Sequence, residues 1–239
     1  MSQKLSERQA AILGCLIRAH IETAAPVGSL TIVERTRIGA SSATIRNEMA
    51  NLEQMGYLRS PHTSAGRIPT EQGYRYYLEY LVTPALMPDI EERRMRSIQR
   101  SYEDFEERFR QLAKAVAEFS AEGVFLAFGK NNLYYTGLSN LFAQPEFREQ
   151  RQLVAMGQVI DHLDEAVSEI FASESGNDVT VLVGSDNPFG RDCSVILLRY
   201  GSSGSNTEKG LFGILGPTRM DYDRNITRVT RVRDCVKLE

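Results

Sequence analysis

Arg46 and Asn47 stand side by side in the stretch SSATIRNEMANLEQ. An arginine fork can donate two parallel bonds to guanine, and an asparagine amide can pair with adenine in the same two-pronged way. Ser41 and Ser42 lie just ahead, where free backbone N–H groups at a helix start can hold a phosphate. Ala43 and Thr44 complete a low, polar N-terminal face. A little further on, Arg59, His62, Thr63, Ser64 and Arg67 flank a Pro/Gly-containing turn. Those residue types suit backbone phosphates or a minor groove. The chemistry on offer is non-covalent recognition of duplex DNA.

The elements that must position these residues are legible. Ser6 and Gln9 have capping-box spacing for a first helix reaching about Thr23, and Pro26 stops it. A second, short helix starts at Ser29 and ends before Gly39. A third runs from Ser41 or Ser42 to about Met55, and Gly56 ends it. At about 100° per residue, Ile45, Met49 and Leu52 share its inner face. Tyr57–Ser60 and Arg67–Pro69 read as two short strands around a turn, and Thr70 caps a Tyr-rich helix. Helix, short helix, tight turn, helix and β-hairpin is the order of a winged helix-turn-helix, whose third helix enters the major groove by its N-terminal residues. Winged modules also dock proteins, and a polar face can simply be solvated. The pattern by itself leaves those readings open.

Charge is compatible with a polyanion partner. Residues 1–80 hold 9 Lys+Arg, eight of them Arg, against 7 Asp+Glu, whereas the remainder holds 19 against 24. The 239 residues, 42% hydrophobic and 25% charged, exclude disordered, collagen-like and disulfide-scaffold classes. Cys15, Cys193 and Cys235 form no C-x-x-C pair and no cluster with His, so neither a zinc site nor a disulfide framework is expected, and a reducing cytoplasm fits. The run Ala10 to Ile17 is too short to span a membrane. Ile12-Leu13-Gly14-Cys15 has the look of a lipoprotein box, but only four apolar residues precede the cysteine.

From Met95, apolar residues recur at Ile98, Tyr102, Phe105, Phe109, Leu112, Val116 and Phe119, alternating three and four apart. That is a heptad seam. It serves equally as a dimer interface through Ile98, Tyr102, Phe105, Phe109 and Leu112, or as a long helix lying on its own domain. Beyond Gly123 the chain reads strand (Val124–Phe128), turn at Lys130-Asn131-Asn132, strand (Leu133–Tyr135), and a long helix from Pro145 to Phe171 with Leu153, Met156, Ile160, Leu163, Val167 and Ile170 inward. Strands at Val179–Val183, Cys193–Tyr200 and Lys209–Leu215 precede a last helix, Asp221–Val236. This order predicts an antiparallel sheet flanked by helices, an α+β unit. Three segments result: 1–82 as the winged DNA-binding domain, 83–122 as the linking helix, and 123–239 as the α+β domain.

Nothing in that half commits to catalysis. Asp161, Asp164 and Glu165 fall on the outer side of an amphipathic helix, the place of a solvated face. His162 has no nucleophile at a recognisable spacing. Gly201-Ser202-Ser203-Gly204-Ser205 lacks the Gly-Lys-Ser/Thr ending of a phosphate loop and reads as a hairpin loop. No enzyme activity, metal or cofactor is expected. Gly216–Tyr222 reads as a turn before the last helix, with Arg219 and Asp221 placed to tie it locally. A partner-docking role is the alternative.

The string from Ser41 to Leu81, SSATIRNEMANLEQMGYLRSPHTSAGRIPTEQGYRYYLEYL, and the earlier IETAAPVGS resemble the N-terminal signature of the HrcA family of bacterial heat-shock repressors. LSNLFAQPEF (Leu138–Phe147), GSDNP (Gly184–Pro188) and GPTRMDY (Gly216–Tyr222) resemble later segments of that family, in the same order. The resemblance implies a winged-helix domain joined to a GAF-like domain. It also implies a homodimeric, cytoplasmic transcriptional repressor that binds an inverted-repeat CIRCE-like operator upstream of chaperone genes. The chaperonin GroEL is the implied partner, and no membrane is involved. Family members are usually longer, with an inserted dimerisation region, and the missing length falls in the middle of this chain. The competing functional reading is a regulator that senses a small molecule through the GAF-like domain.

Overall fold

The structure is a computed structural model, and it describes residues 4–36, 38–62, 66–129, 132–148, 150–172, 179–201 and 210–236. The chain divides into two compact units, Met1–Thr83 and Pro84–Glu239.

In the first unit, α1 (Glu7–Thr23) starts in the expected capping box. Ser6 accepts from the Gln9 amide, and the Gln9 side chain accepts from the Ser6 amide. Ile12, Leu13, Leu16 and Ile17 turn inward and are fully buried. Helix α2 (Ser29–Arg35) is short, and α3 (Ser42–Gln54) is capped by Ser41. Strands β1 (Leu58–Arg59) and β2 (Ile68–Pro69) pair antiparallel. Thr70 caps α4 (Glu71–Tyr76), which widens into a π turn over Tyr77–Leu81. Tyr74, Tyr76 and Tyr77 of this Tyr-rich stretch are buried.

The second unit is α+β. Helices α5 (Asp89–Ser101) and α6 (Phe105–Ser120) precede β3 (Gly123–Phe128), β4 (Leu133–Thr136) and α7 (Leu138–Ala143). A 3-10 turn (Pro145–Arg148), α8 (Gln150–Asp161) and α9 (Leu163–Ala172) follow. Then come β5 (Thr180–Val183), β6 (Cys193–Tyr200), β7 (Gly210–Pro217) and α10 (Tyr222–Val236). The five strands lie in the order β4-β3-β7-β6-β5, every neighbour antiparallel. Because side chains alternate along a strand, both sheet faces must be covered, and both are. Phe125, Val195, Leu197, Leu211 and Leu215 pack with Leu141, Met156, Leu163, Val167 and Ile170 of α7, α8 and α9. On the opposite face, Phe109 of α6 meets Phe128, Tyr200 and Phe212 at ring separations of 6.4, 4.9 and 6.5 Å. There too, Tyr222 of α10 donates to Ser194 at 2.8 Å.

This arrangement corrects the linking-helix reading. The run 83–122 is two helices, broken where Tyr102 turns extended and Asp104 caps α6 by accepting from the Glu107 amide at 2.8 Å. Ile98, Phe109 and Leu112 are buried against their own unit, Phe109 and Leu112 completely, and Tyr102 and Phe105 are half-buried. An apolar stripe at heptad spacing fits a domain's own core as well as a partner helix, and here the α6 part of it lies on the sheet. The expected helix from Pro145 to Phe171 is likewise interrupted, at His162. Leu153, at the edge of its apolar arc, is 45% exposed. Helix α7 was not anticipated. The turns expected at 130–131 and 202–205 lie outside the described residues.

Asp161, Asp164 and Glu165 are exposed, and His162 approaches Glu165 at 3.3 Å on the open surface. All three cysteines are free, two of them buried. Among the described residues no three His, Cys, Asp or Glu side chains gather as a metal site, and no helix is long and apolar enough to cross a membrane.

Two segments far apart in sequence interlock. Arg219, in the turn after β7, donates to Gln144 at 2.8 Å and to both carboxylate oxygens of Glu146. Asp221 instead caps locally, accepting from the Arg224 amide at 3.1 Å. Beside this lock lies Glu122, whose Oε2 is buried without a hydrogen-bond partner. A Cβ at Gly216 would fall 2.4 Å from that oxygen, so the glycine makes the room. Burial holds the Glu122 carboxyl well above the usual range, against the pull of Arg219. The folded chain therefore keeps a proton that the unfolded chain releases near the ordinary value of 4.5. Stability from this group is greatest in acid. It falls as pH rises above the unfolded value, by up to about 1.4 kcal/mol per pH unit, until the folded value is passed. Glu122→Gln is expected to flatten that decline in thermal melts run from about pH 4 to 7. An unchanged slope would show that Glu122 ionises freely.

Candidate nucleic-acid interface

The candidate surface is built on α3. Ile45, Glu48, Met49 and Leu52 are buried, which turns Ala43, Arg46 and Asn47 to solvent. Three polar ties hold the helix in that rotation. Arg8 donates its Nε to Glu48 at 2.9 Å, and Gln9 donates to the other Glu48 oxygen at 3.2 Å, fastening α1 to α3. Ser29 and Ser42 share a hydrogen bond of 2.8 Å between the starts of α2 and α3. Arg67 donates to Glu53 at 2.8 Å, joining the base of the hairpin to the far end of α3.

The hairpin has a second tie. Val27, just before α2, exchanges two backbone hydrogen bonds of 2.9 Å with Arg67. The strands meet so closely that a Cβ at Gly66 would lie 2.3 Å from the Val27 carbonyl oxygen. Glycine is required there by lack of room, since any side chain would push the two backbones apart.

The expected contact residues divide accordingly. Ala43, Arg46, Asn47, Arg59 and His62 are exposed. Ser41 is exposed too, but its hydroxyl is occupied, accepting from the Thr44 amide at 3.1 Å and lying 2.9 Å from the Thr44 hydroxyl. Ser42 is engaged with Ser29. Arg67, expected to meet phosphate, is turned onto Glu53 and braces the hairpin. Thr63 and Ser64 lie outside the described residues. The tying roles of Glu48, Glu53 and Ser29 leave no sequence signal, because their partners are 13 to 40 residues away along the chain.

Charge pairing isolates two cations on this surface. Arg8, Arg35, Arg67 and Arg75 each pair with a glutamate of the same unit. Arg18 lies over the Tyr77 ring. Among the described arginines of the first unit, Arg46 on α3 and Arg59 on β1 are left without a side-chain partner. An exposed arginine fork beside an exposed asparagine amide can read base edges, and a second arginine nearby can hold a phosphate.

Comparison with known proteins gives these features a context. The model of the HrcA protein C-terminal domain matches residues 77–226. The heat-inducible transcription repressor of Moorella thermoacetica is 28% identical, with 98% of this chain and 97% of the relative covered. That alignment runs over 337 positions against 239 residues here, so many positions of the relative have no counterpart in this chain. The repressor of Pelotomaculum thermopropionicum is 57% identical over 79 residues, covering 33% of this chain and 23% of that one. A crystal structure of a hypothetical protein at 2.2 Å resolution shares the fold with a TM-score of 0.77, at 19% identity and 98% coverage of both chains. The Moorella and Pelotomaculum relatives are heat-inducible transcription repressors, and they support a role in repressing transcription. The match over 77–226 takes in more than half of the residues, and the chain belongs to the HrcA family.

Proposed function

We propose that this chain represses heat-shock genes by binding an inverted-repeat, CIRCE-like operator as a homodimer. Its first unit acts as a winged helix-turn-helix, and its second is a GAF-like domain. The observation that carries the reading is the exposed pair Arg46 and Asn47 on the N-terminal half of α3, without a side-chain partner among the described residues, with Arg59 on the adjoining hairpin. Helix α3 enters the major groove by that end, Arg46 pairs with guanine and Asn47 with adenine. Arg59 and His62 meet the backbone. Two copies reach half-sites ~34–36 Å apart, or a multiple of that. Bound protein excludes the transcription machinery, and no bond is made or broken. The family resemblance also brings the chaperonin GroEL into the reading as a partner.

Arg46→Ala tests this directly. If Arg46 reads a base, the variant loses about 1–3 kcal/mol on the operator, roughly 5- to 150-fold, and far less on random duplex. Equal losses on both would assign Arg46 to a phosphate. Failure of the intact chain to retard an inverted-repeat duplex at low salt would end the proposal.

A further inference from the structure

Helix α5 has an outer face that the repressor reading does not use. Its inner face is committed. Met95 and Ile98 are buried, Glu91 takes both forks of Arg228 at 2.7 and 2.8 Å, and Glu92 takes Arg231 at 2.9 Å and Arg96 at 3.0 Å. These two first-turn carboxylates are therefore consumed. On the outside stand Arg93, Arg94, Arg96 and Arg100, all exposed, with Ser97 between them. Arg94 and Arg100 have no partner among the described residues, and Arg93 donates only to the Asp89 backbone carbonyl at 3.2 Å.

The placement is not explained by the helix. A cation is favoured in the last turn, which accounts for Arg100, but Arg93 and Arg94 sit in the N-terminal half, where the dipole offers them nothing. Nor is it explained by the unit's overall charge, since residues 84–239 carry 19 Lys+Arg against 24 Asp+Glu. A cluster of unneutralised guanidinium groups within an otherwise acidic unit calls for a polyanion. Arg93 and Arg100 are two turns apart, about 10 Å along the helix axis. Duplex DNA presents one negative charge per ~1.7 Å of its axis, so a ridge of that length can face several phosphates.

We propose that the Arg93, Arg94 and Arg100 face of α5 is a second DNA-backbone contact, holding the duplex without reading bases. The inference rests on the repressor reading above. It adds a non-specific surface outside the winged module.

The test uses the full chain, a random-sequence duplex and binding measured across salt concentration. Neutralising three phosphate contacts in Arg93→Gln/Arg94→Gln/Arg100→Gln should make the slope of log affinity against log salt shallower by about 2 to 3. Between roughly 50 and 200 mM salt, wild type should then lose roughly 40-fold more affinity than the triple variant. The corresponding Lys triple should keep the wild-type slope, because backbone contact needs charge more than fork geometry. A Gln triple with the wild-type slope overturns the inference, as does a Lys triple that falls as far as the Gln triple. An acidic protein surface as the true partner would appear as the first of these outcomes. The repressor reading fails separately, if the intact chain binds no duplex at all.

Discussion

Phe109→Ala is expected to lower the unfolding free energy of the second unit by about 3–5 kcal/mol, the usual cost of emptying a buried aromatic site. Phe109 is fully buried. Its ring stacks on Phe105 at 4.5 Å and lies within 6.5 Å of Phe128, Tyr200 and Phe212. None of those neighbours can collapse far into the gap, because three of them are fixed in paired strands of the sheet. The loss should be the same at any protein concentration, since the ring packs inside one molecule. Chemical denaturation at two widely separated concentrations checks this. A difference between variant and wild type that changes with concentration would return Phe109 to a subunit interface.

A loss of similar size is expected from Arg228→Met. Arg228 and Glu91 form a two-pronged ion pair with side chains only 6% and 9% exposed, and Arg228 also donates to Asn225 at 2.7 Å. Removing the guanidinium strands a buried carboxylate, at a cost of about 3–5 kcal/mol. Glu91→Leu combined with Arg228→Met should recover most of that loss, because the desolvation penalty disappears together with the attraction. A double-mutant cycle on urea midpoints measures the coupling. Single substitutions costing less than about 1 kcal/mol would show that water reaches the pair.

What could be read in advance followed from local chemistry. Ser6 with Gln9, Ser41 and Thr70 announce their helices, because a side-chain oxygen at the first turn satisfies an otherwise idle amide. The apolar runs at 123–128, 193–200 and 210–217 are strands with both faces covered, and so lack the alternation of a half-exposed sheet. The heptad run after Met95 was ambiguous for a physical reason. Spacing reports that a helix has an apolar stripe and says nothing of what covers it. Helix α7 has no capping side chain, only Gly137 in a left-handed turn with φ of 74°, and six residues are too few to show a period. The exposed face of α3 proposed to meet DNA was legible because exposure on α3 follows directly from which residues are apolar. The ties that hold α3 were not. Arg67 looks like a phosphate ligand until the fold brings Glu53 beside it, and Glu48 reads as a solvated residue until Arg8 and Gln9 reach it from α1.

The stitching of Val27 to Arg67, with Gly66 pressed against the carbonyl, means that the loop before α2, the hairpin and α3 behave as one casting. Transplanting residues 41–55 alone onto another scaffold would carry over the proposed contact residues without the frame that aims them. A transplant that keeps this frame intact therefore runs from the first helix through residue 81.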